Sequence, residues 1–345
     1  MNAQQAATQM NLYGRDAVPF LFVIDFLKHK PLVFKLADID ASQIRYAIGS
    51  QPTTTAPDAP FWLKKYPIAF ETYQSAFDEV MRNLKAGNSF LTNLTAQTPI
   101  ETNLGLEEIF ERSRAKYKLW LRDELVCFSP ETFVQIVGNR IASFPMKGTI
   151  DASLPNAERV IAADTKEAAE HATIVDLIRN DLSMVAQKVW VARYRYAEEV
   201  QTNERRLLQI SSEIAGTLHT NWQQNLGDLL FTMLPAGSIC GAPKPKTVEI
   251  IQQTEGYQRG YYTGIFGVFD GQNLDSGVMI RYIENQNGQL VFKSGGGITA
   301  RSTAAAEYQE MIDKVYLPFC AHDQPTALHR NDPRLRAQVR GSVLA

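Results

Sequence analysis

The stretch GYYTGIFGVFDGQNLDSGVMIRYIENQNGQLVFKSGGG, residues 260–297, decides the fold. Its runs rich in Ile, Val, Phe and Tyr, separated by Gly, Asn and Asp clusters, read as short strands around GYYTGIFGVFDG, LDSGVMIRYIEN and QLVFKSGGG. A helix, TAAAEYQEMIDKVYLPF, follows. Upstream, the same alternation of many strands with scattered helices recurs. PFLFVIDFLKHKPLVFKLADI reads as paired strands broken by a charged turn, SFLTNLTAQTPI as a strand, and LVCFSPETFVQIVGN and RIASFPMKG as two strands joined at Gly138-Asn139. VWVARYRYAEEVQ and LLQISSEIAGTL are also extended. The pattern predicts an α+β protein with large antiparallel sheets faced by helices.

Helices are marked by their apolar stripes. In TYQSAFDEVMRNLKAG (72–87), Phe77, Val80, Met81 and Leu84 share a face and Gly87 is a stop. LGLEEIFERSRAKY, NLGDLLFTMLPAG and KPKTVEIIQQTE are helical as well. In DTKEAAEHATIVDLIRNDLSMVA (164–186), Asp164 and Glu167 have capping-box spacing, and Ala168, Val175, Ile178 and Leu182 form a buried stripe. GSQPTTTAPDAP (49–60) reads as a linker. The expected division is residues 1–60 as a β-rich segment and linker within the same domain, 61–320 as the catalytic domain, and 321–345 as a loosely held tail.

With 35 basic and 37 acidic residues, the chain has no concentrated positive field for nucleic acid or an anionic membrane. No run of 18 apolar residues or signal-peptide pattern occurs, and Cys127, Cys240 and Cys320 form neither a zinc knuckle nor a disulfide framework. These features predict a cytoplasmic location.

Three features could carry chemistry. Glu167 with Glu170, and Glu307 with Glu310, are spaced to share helix faces; solvated surface is the commoner reading, and oxygen donors for a hard cation such as Mg²⁺ the sharper one. The glycines of KSGGGITARS (293–302) can bring backbone N–H groups close to an anion, while PAGSICGAPKPK (235–246) lacks phosphate-loop spacing and is equally a turn capping a helix near Pro245. Arg281 interrupts the apolar run GVMIRYIE, either in a cleft where it could grip a carboxylate or on an exposed sheet face.

The ordered motifs FSPETF, FPMKGT, DTKEAAEHATIVDLIRNDL, LPAGSICGAPKPK, YTGIFGVFD, MIRY, GGGIT and EYQEMIDK resemble those of the chorismate-utilising enzymes: anthranilate synthase component I, aminodeoxychorismate synthase component I, and isochorismate and salicylate synthases. The resemblance runs from about residue 70 to 317. It implies a single large α/β sandwich of two antiparallel sheets with outer helices and a cleft between the sheets. It also implies Glu170 and Glu310 as Mg²⁺ ligands backed by Glu167 and Glu307, and Glu131 as the acid that protonates the departing C4 hydroxyl. Thr149, Tyr262, Arg281, Lys314 and the backbone at Gly295 and Gly297 match substrate-binding positions.

Lys147, in FPMKGT, points to the aminodeoxychorismate synthase branch, where the resemblance implies attack of the amine on C2 of chorismate, loss of the C4 hydroxyl, and replacement by ammonia at C4. With a reference pKa near 10.4, about one lysine in 2,500 is neutral at pH 7, a handicap of roughly 4.6 kcal/mol. Desolvation by Phe144 and Met146, or a neighbouring cation, is expected to reduce it. Leu91 stands where water-activating relatives carry lysine and amine-forming ones glutamine; Gln209 replaces a histidine tied to pyruvate elimination. The tryptophan-feedback motif L-L-E-S and the amidotransferase motif G-x-C-x-G do not occur. The expected product is 4-amino-4-deoxychorismate for 4-aminobenzoate and folate synthesis, with ammonia from an amidotransferase subunit (component II) and a separate lyase downstream. Anthranilate synthase component I is the alternative, followed by isochorismate synthase or a non-catalytic chorismate-binding protein.

Overall fold

Two prolines divide what the sequence reads as continuous strands. Proline has no N–H to give to a ladder; at Pro130 the chain leaves one sheet for the other, and at Pro145 a strand is interrupted although the residues on both sides pair with the same neighbour, Arg206–Thr217. The computed structural model describes residues 1–49, 60–163, 165–201 and 206–319, with the side chains of Thr149, Thr165, Lys166, Val200, Gln201, Arg206 and Leu207 outside that description. The expected Asp164 cap, Cys320, the 321–345 tail and all but the ends of the 49–60 linker lie outside the described residues. In chain order the elements are α1 (Ala3–Arg15), β1 (Phe20–Ile24), β2 (Leu32–Lys35), β3 (Ile44–Ile48), β4 (Leu63–Lys65), α2 (Phe70–Lys85), β5 (Leu91–Thr102), α3 (Leu106–Arg112), β6 (Tyr117–Leu121), β7 (Leu125–Ser129), β8 (Thr132–Val137), β9 (Arg140–Ser143) and β10 (Met146–Asp151). They continue as α4 (Ala157–Ala163), α5 (Thr165–Ser183), β11 (Lys188–Gln201), β12 (Arg206–Thr217), α6 (Leu226–Met233), β13 (Gly241–Ala242), α7 (Lys244–Thr254), β14 (Ile265–Phe269), β15 (Leu274–Val278), β16 (Tyr282–Gln286), β17 (Gln289–Ile298) and α8 (Ala304–Asp313).

These strands make two antiparallel sheets. The nine-stranded sheet runs β10-β12-β9-β8-β15-β14-β1-β2, with β11 also on β12; the eight-stranded sheet runs β13-β5-β17-β16-β7-β6-β3, with β4 on β5. Alternation along β1 shows the layering. Phe20, Phe22 and Ile24 join the core under α1, α5 and α6, whereas Leu21 and Val23 pack with Tyr117, Leu119 and Cys127 of the opposite sheet. Each of these buried side chains contributes about 1.5–3 kcal/mol of transfer free energy. On the outer side of the eight-stranded sheet, α3 packs over Val126, Phe128 and Phe292, and α2 and α8 pack over Leu94, Ala96 and Ile298.

The chain changes sheets at two neighbouring places. β7 and β8 lie in different sheets, joined through Pro130 and Glu131; β15 and β16 likewise, joined through Met279, Ile280 and Arg281. The crossovers are tied by Val278 N–H donating to the Glu131 carbonyl (3.0 Å) and Phe128 N–H donating to the Arg281 carbonyl (3.0 Å). GVMIRYIE is therefore two strands, with Arg281 at the junction at φ +54°. α8 ends at Asp313, with Lys314 as its cap, short of the expected Phe319. The segment before residue 60, expected to be β-rich, opens on helix α1, and α4 is a second helix the pattern did not show.

Tyr117 sets the spacing between sheets at one point. Its hydroxyl donates to Asp275 Oδ1 (2.7 Å) and lies 2.9 Å from Thr132 Oγ1, so the ring is fixed over Gly277. A Cβ at Gly277 would stand 2.5 Å from Tyr117 Cγ. Gly277→Ala is expected to cost about 1–3 kcal/mol through overpacking, read as a lower denaturant midpoint with an unchanged slope.

Candidate active site

Glu131 lies on the first crossover, half-buried, and its Oε1 accepts a hydrogen bond from Ser238 Oγ (2.6 Å). A cavity of about 20 Å³, room for roughly one water, lies against it, lined by Pro145, Ser143, Asp181 and Gly237 among others. Burial raises the carboxyl pKa; the Ser238 hydrogen bond and then the charges of Lys147, Arg281 and Lys314 oppose the rise. Three cations from three separate elements thus converge on one acid. A carboxyl held up in this way keeps a proton further towards neutral pH and can give it to a leaving group.

Lys147 is half-buried on β10 opposite Ile210 of β12, and the register slips between Lys147 and Thr149. Gly148 makes the irregularity at φ +75°, and its Cα faces Glu167, whose Oε2 would be 3.5 Å from a Cβ there. The Lys147 charge acts on His171 of α5, on Glu131 and on Lys314. Nearby, the Phe144 ring faces the Lys116 ammonium (5.9 Å), and Pro145 lines the small cavity against Glu131.

Glu167 and Glu170 are half-buried on α5. His171, next to Glu170, is buried, and its Nε2 lies 2.6 Å from Ser212 Oγ, tying the helix to β12. Glu307 is buried and Glu310 exposed on α8. A Cβ at Gly296 would stand 3.2 Å from Glu310 Oε1 and 3.3 Å from Glu307 Oε2, so only glycine leaves open the space in front of both carboxylates. Lys314 Nζ donates to Gly295 O (2.7 Å) and to Glu310 Oε1 (2.6 Å), and burial lowers its pKa. Among the described residues no three His, Cys, Asp or Glu side chains gather into a metal cage. Hard oxygen donors in small number suit Mg²⁺, which takes one or two carboxylates and fills its remaining positions with water and substrate.

Arg281 Nε donates to Tyr316 Oη (3.1 Å), and the guanidinium charge acts on Glu131, Lys314 and Tyr262; the residue stands half-buried on the crossover between the sheets rather than within a strand. Tyr262 is buried against Tyr282, and burial holds its phenol protonated. Gly295 packs directly on β5, where a Cβ would meet Leu94 O at 2.2 Å, whereas Gly297 faces Leu91 Cδ1 (3.0 Å). Leu91 is buried at that point, an aliphatic wall without a base. Thr149 pairs with Gln209 in register. Sequence reasoning passed over Gly296, which lay inside the quoted glycine run, and Ser238, which lay inside a motif that was quoted without assigning the serine a role.

Two antiparallel sheets packed face to face thus carry an acid on one crossover and an arginine on the other, with paired glutamates on two of the helices. The menaquinone-specific isochorismate synthase of Escherichia coli shares this fold, with a TM-score of 0.69 over 91% of this chain and 81% of that one at 15% identity. Anthranilate synthase component I from Streptococcus pneumoniae does so with a TM-score of 0.61 at 24% identity, over 74% of this chain and 59% of that one. The chain belongs to the chorismate binding enzyme family, which it matches over residues 28–318, starting upstream of the first motif. It is 51% identical to an uncharacterized PabA-like protein of Haemophilus influenzae over 92% of this chain and 97% of that protein. It is 34% identical to aminodeoxychorismate synthase component 1 of E. coli over 71% of this chain, spanning 56% of that longer protein. Among the described residues no helix is long and apolar enough to cross a membrane.

Proposed function

We propose that this protein aminates chorismate at C4 with ammonia, giving 4-amino-4-deoxychorismate. The reading is supported by Lys147 standing beside the positive-φ Gly148 on β10, with a charge that, along with those of Arg281 and Lys314, opposes the burial-driven rise of the half-buried Glu131 carboxyl. The neutral Lys147 amine attacks C2, the ring double bond shifts, and the C4–O bond breaks as Glu131 gives its proton to the oxygen, which leaves as water. Ammonia then adds at C4, the double bond shifts back, the C2–N bond breaks to return Lys147 as an amine, and the new C4 ammonium gives its extra proton back to the Glu131 carboxylate. The balance is chorismate plus ammonia to aminodeoxychorismate plus water.

Arg281 and Tyr262 would hold the enolpyruvyl carboxylate, with Thr149, Lys314 and the Gly295–Gly297 backbone completing the pocket. Glu170 and Glu310, backed by Glu167 and Glu307, would hold Mg²⁺, which when bound neutralises the ring carboxylate and fixes its position. The space before Glu307 and Glu310 supports this: Gly296→Ala is expected to raise the Mg²⁺ concentration for half-maximal rate several-fold, since a Cβ would displace both carboxylates. Unchanged Mg²⁺ dependence would remove Gly296 from the site. Ammonia is supplied by a separate glutamine amidotransferase subunit, and a separate lyase forms 4-aminobenzoate for folate synthesis.

The deciding experiment incubates the protein with chorismate, Mg²⁺ and ammonium. The expected product turns into 4-aminobenzoate only after an aminodeoxychorismate lyase is added. Direct appearance of anthranilate, or of isochorismate, overturns the reading.

A further inference from the structure

Ser238 is the one polar side chain whose hydrogen bond to the Glu131 carboxylate is seen among the described residues, and both sides of it are anchored. On one side, Gly237 N–H donates to Asp181 Oδ2 of α5 (3.2 Å), and a Cβ at Gly237 would stand 2.8 Å from that oxygen and from Leu177 Cγ. On the other, Ile239 O accepts from Arg259 Nη1 (3.0 Å) and Asn93 Nδ2 (2.9 Å), and Cys240 O accepts from Asn93 N–H (2.9 Å). Asp181 is itself held by the Lys244 ammonium 2.7 Å from Oδ1, an ion pair lying off the hydrogen-bond axis, and Lys244 also donates to Met233 O (2.6 Å). Backbone groups two residues apart are thus fixed to α5, β5 and the Arg259 side chain. The hydroxyl between them donates to Glu131 Oε1 at 2.6 Å.

We infer that Ser238 is a positioning residue for the general acid: its hydroxyl holds the Glu131 carboxyl at the cleft and donates to the carboxylate that forms when the proton leaves, with the Asp181–Lys244 pair and Arg259 keeping the turn in place. The inference rests on the proposed role of Glu131. A donor aimed at charge that develops only as the proton transfers favours the transition state over the bound substrate, and so acts on kcat more than on KM. The groups facing Glu131 are Lys147 from β10, Arg281 from the second crossover, Lys314 at the end of α8 and Tyr262; Asp181, neutralised by Lys244, lies across the small cavity. Burial raises the Glu131 pKa and the Ser238 bond is the first influence against it, so removing the bond raises it further.

The test follows chorismate consumption, whatever the product, with Mg²⁺ and ammonium across pH in Ser238→Ala, Ser238→Thr and Glu131→Gln. The expected result for Ser238→Ala is a kcat lower by about 10- to 100-fold, the worth of one hydrogen bond to a charged group. KM should stay within about twofold and the alkaline limb of kcat/KM should move to higher pH; Ser238→Thr restores both. If the alanine variant does not fold, Ser238→Cys, of nearly the same size and a weaker donor, takes its place with the same expected direction. A wild-type kcat and an unmoved limb in the Ser238 variants, with Glu131→Gln losing 100-fold or more, overturns the inference and leaves the acid in place. A Glu131→Gln enzyme as fast as wild type overturns the acid assignment itself, and the inference with it.

Discussion

Lys147→Met is expected to lower the rate of chorismate amination by a factor on the order of 10³ or more, since it removes the nucleophile on which two of the bond changes occur. Methionine keeps most of the stem, so the bulge at Gly148 and its approach to Glu167 should persist. Removing the Lys147 charge also relieves one of the influences that hold the Glu131 pKa down, which leaves the acid more protonated. That change opposes the loss and is not its cause. Lys147→Arg separates the two effects: it preserves the cation facing Glu131 but offers no neutral amine, and it should be as inactive as the methionine variant. With ammonia withheld, intact mass of the wild type should show a chorismate-derived adduct that both variants lack. A Lys147→Arg enzyme near wild-type rate, or a wild type that never carries the adduct, would reduce Lys147 to an electrostatic role.

The site was legible in the sequence to the extent that its chemistry is local. Gly148 beside Lys147, Glu307 three residues before Glu310, and the glycine run of β17 are each a few residues long, and the structure places them where short-range stereochemistry suggests. What escaped depends on partners far along the chain. LVCFSPETFVQIVGN reads as one strand running through Pro130; the passage from one sheet to the other at that proline depends on β15 and β16 making the same passage beside it, some 150 residues later in the chain. Arg281 could be inward or exposed because a strand pattern alone does not reveal a sheet change. Ser238 had no signal of its own, since its function comes from Glu131, Asp181 and Arg259, none of which is its sequence neighbour. The helix α1 lies in a stretch read only for targeting signals, although Asn2 and Gln5 form a capping box at its start.

Arg259→Met is expected to be the most destabilising single change near the site, by about 3–5 kcal/mol, the usual cost of leaving one buried charge without its partner. Arg259 and Glu255 are 2% and 1% exposed, with Nη2 at 2.6 Å from Oε1 and Nε at 2.8 Å from Oε2, a two-pronged contact that lysine cannot copy. The guanidinium also donates to Asn93 O (2.6 Å), Ile239 O (3.0 Å) and Thr263 Oγ1 (3.2 Å), and stacks over Phe26 at 4.6 Å. Glu255 in turn accepts from Thr95 N–H and Oγ1, each at 2.8 Å. One side chain therefore joins β5, the turn that carries Ser238 and the segment leading to Tyr262. Against a typical total of about 5–15 kcal/mol, its loss should bring the denaturant midpoint down sharply. Removing both charges in Glu255→Leu/Arg259→Met should recover part of that stability, because no lone buried ion remains. It should not recover the catalytic rate, because Asn93 O and Ile239 O would still lack the donors that Arg259 gives them, and the Ser238 turn, left with its bonds to Asn93 and Asp181, would be held less tightly. A single variant that loses less than about 1 kcal/mol would mean that the pair is solvated in solution, and a double variant with full activity would mean that the turn is held in place without Arg259.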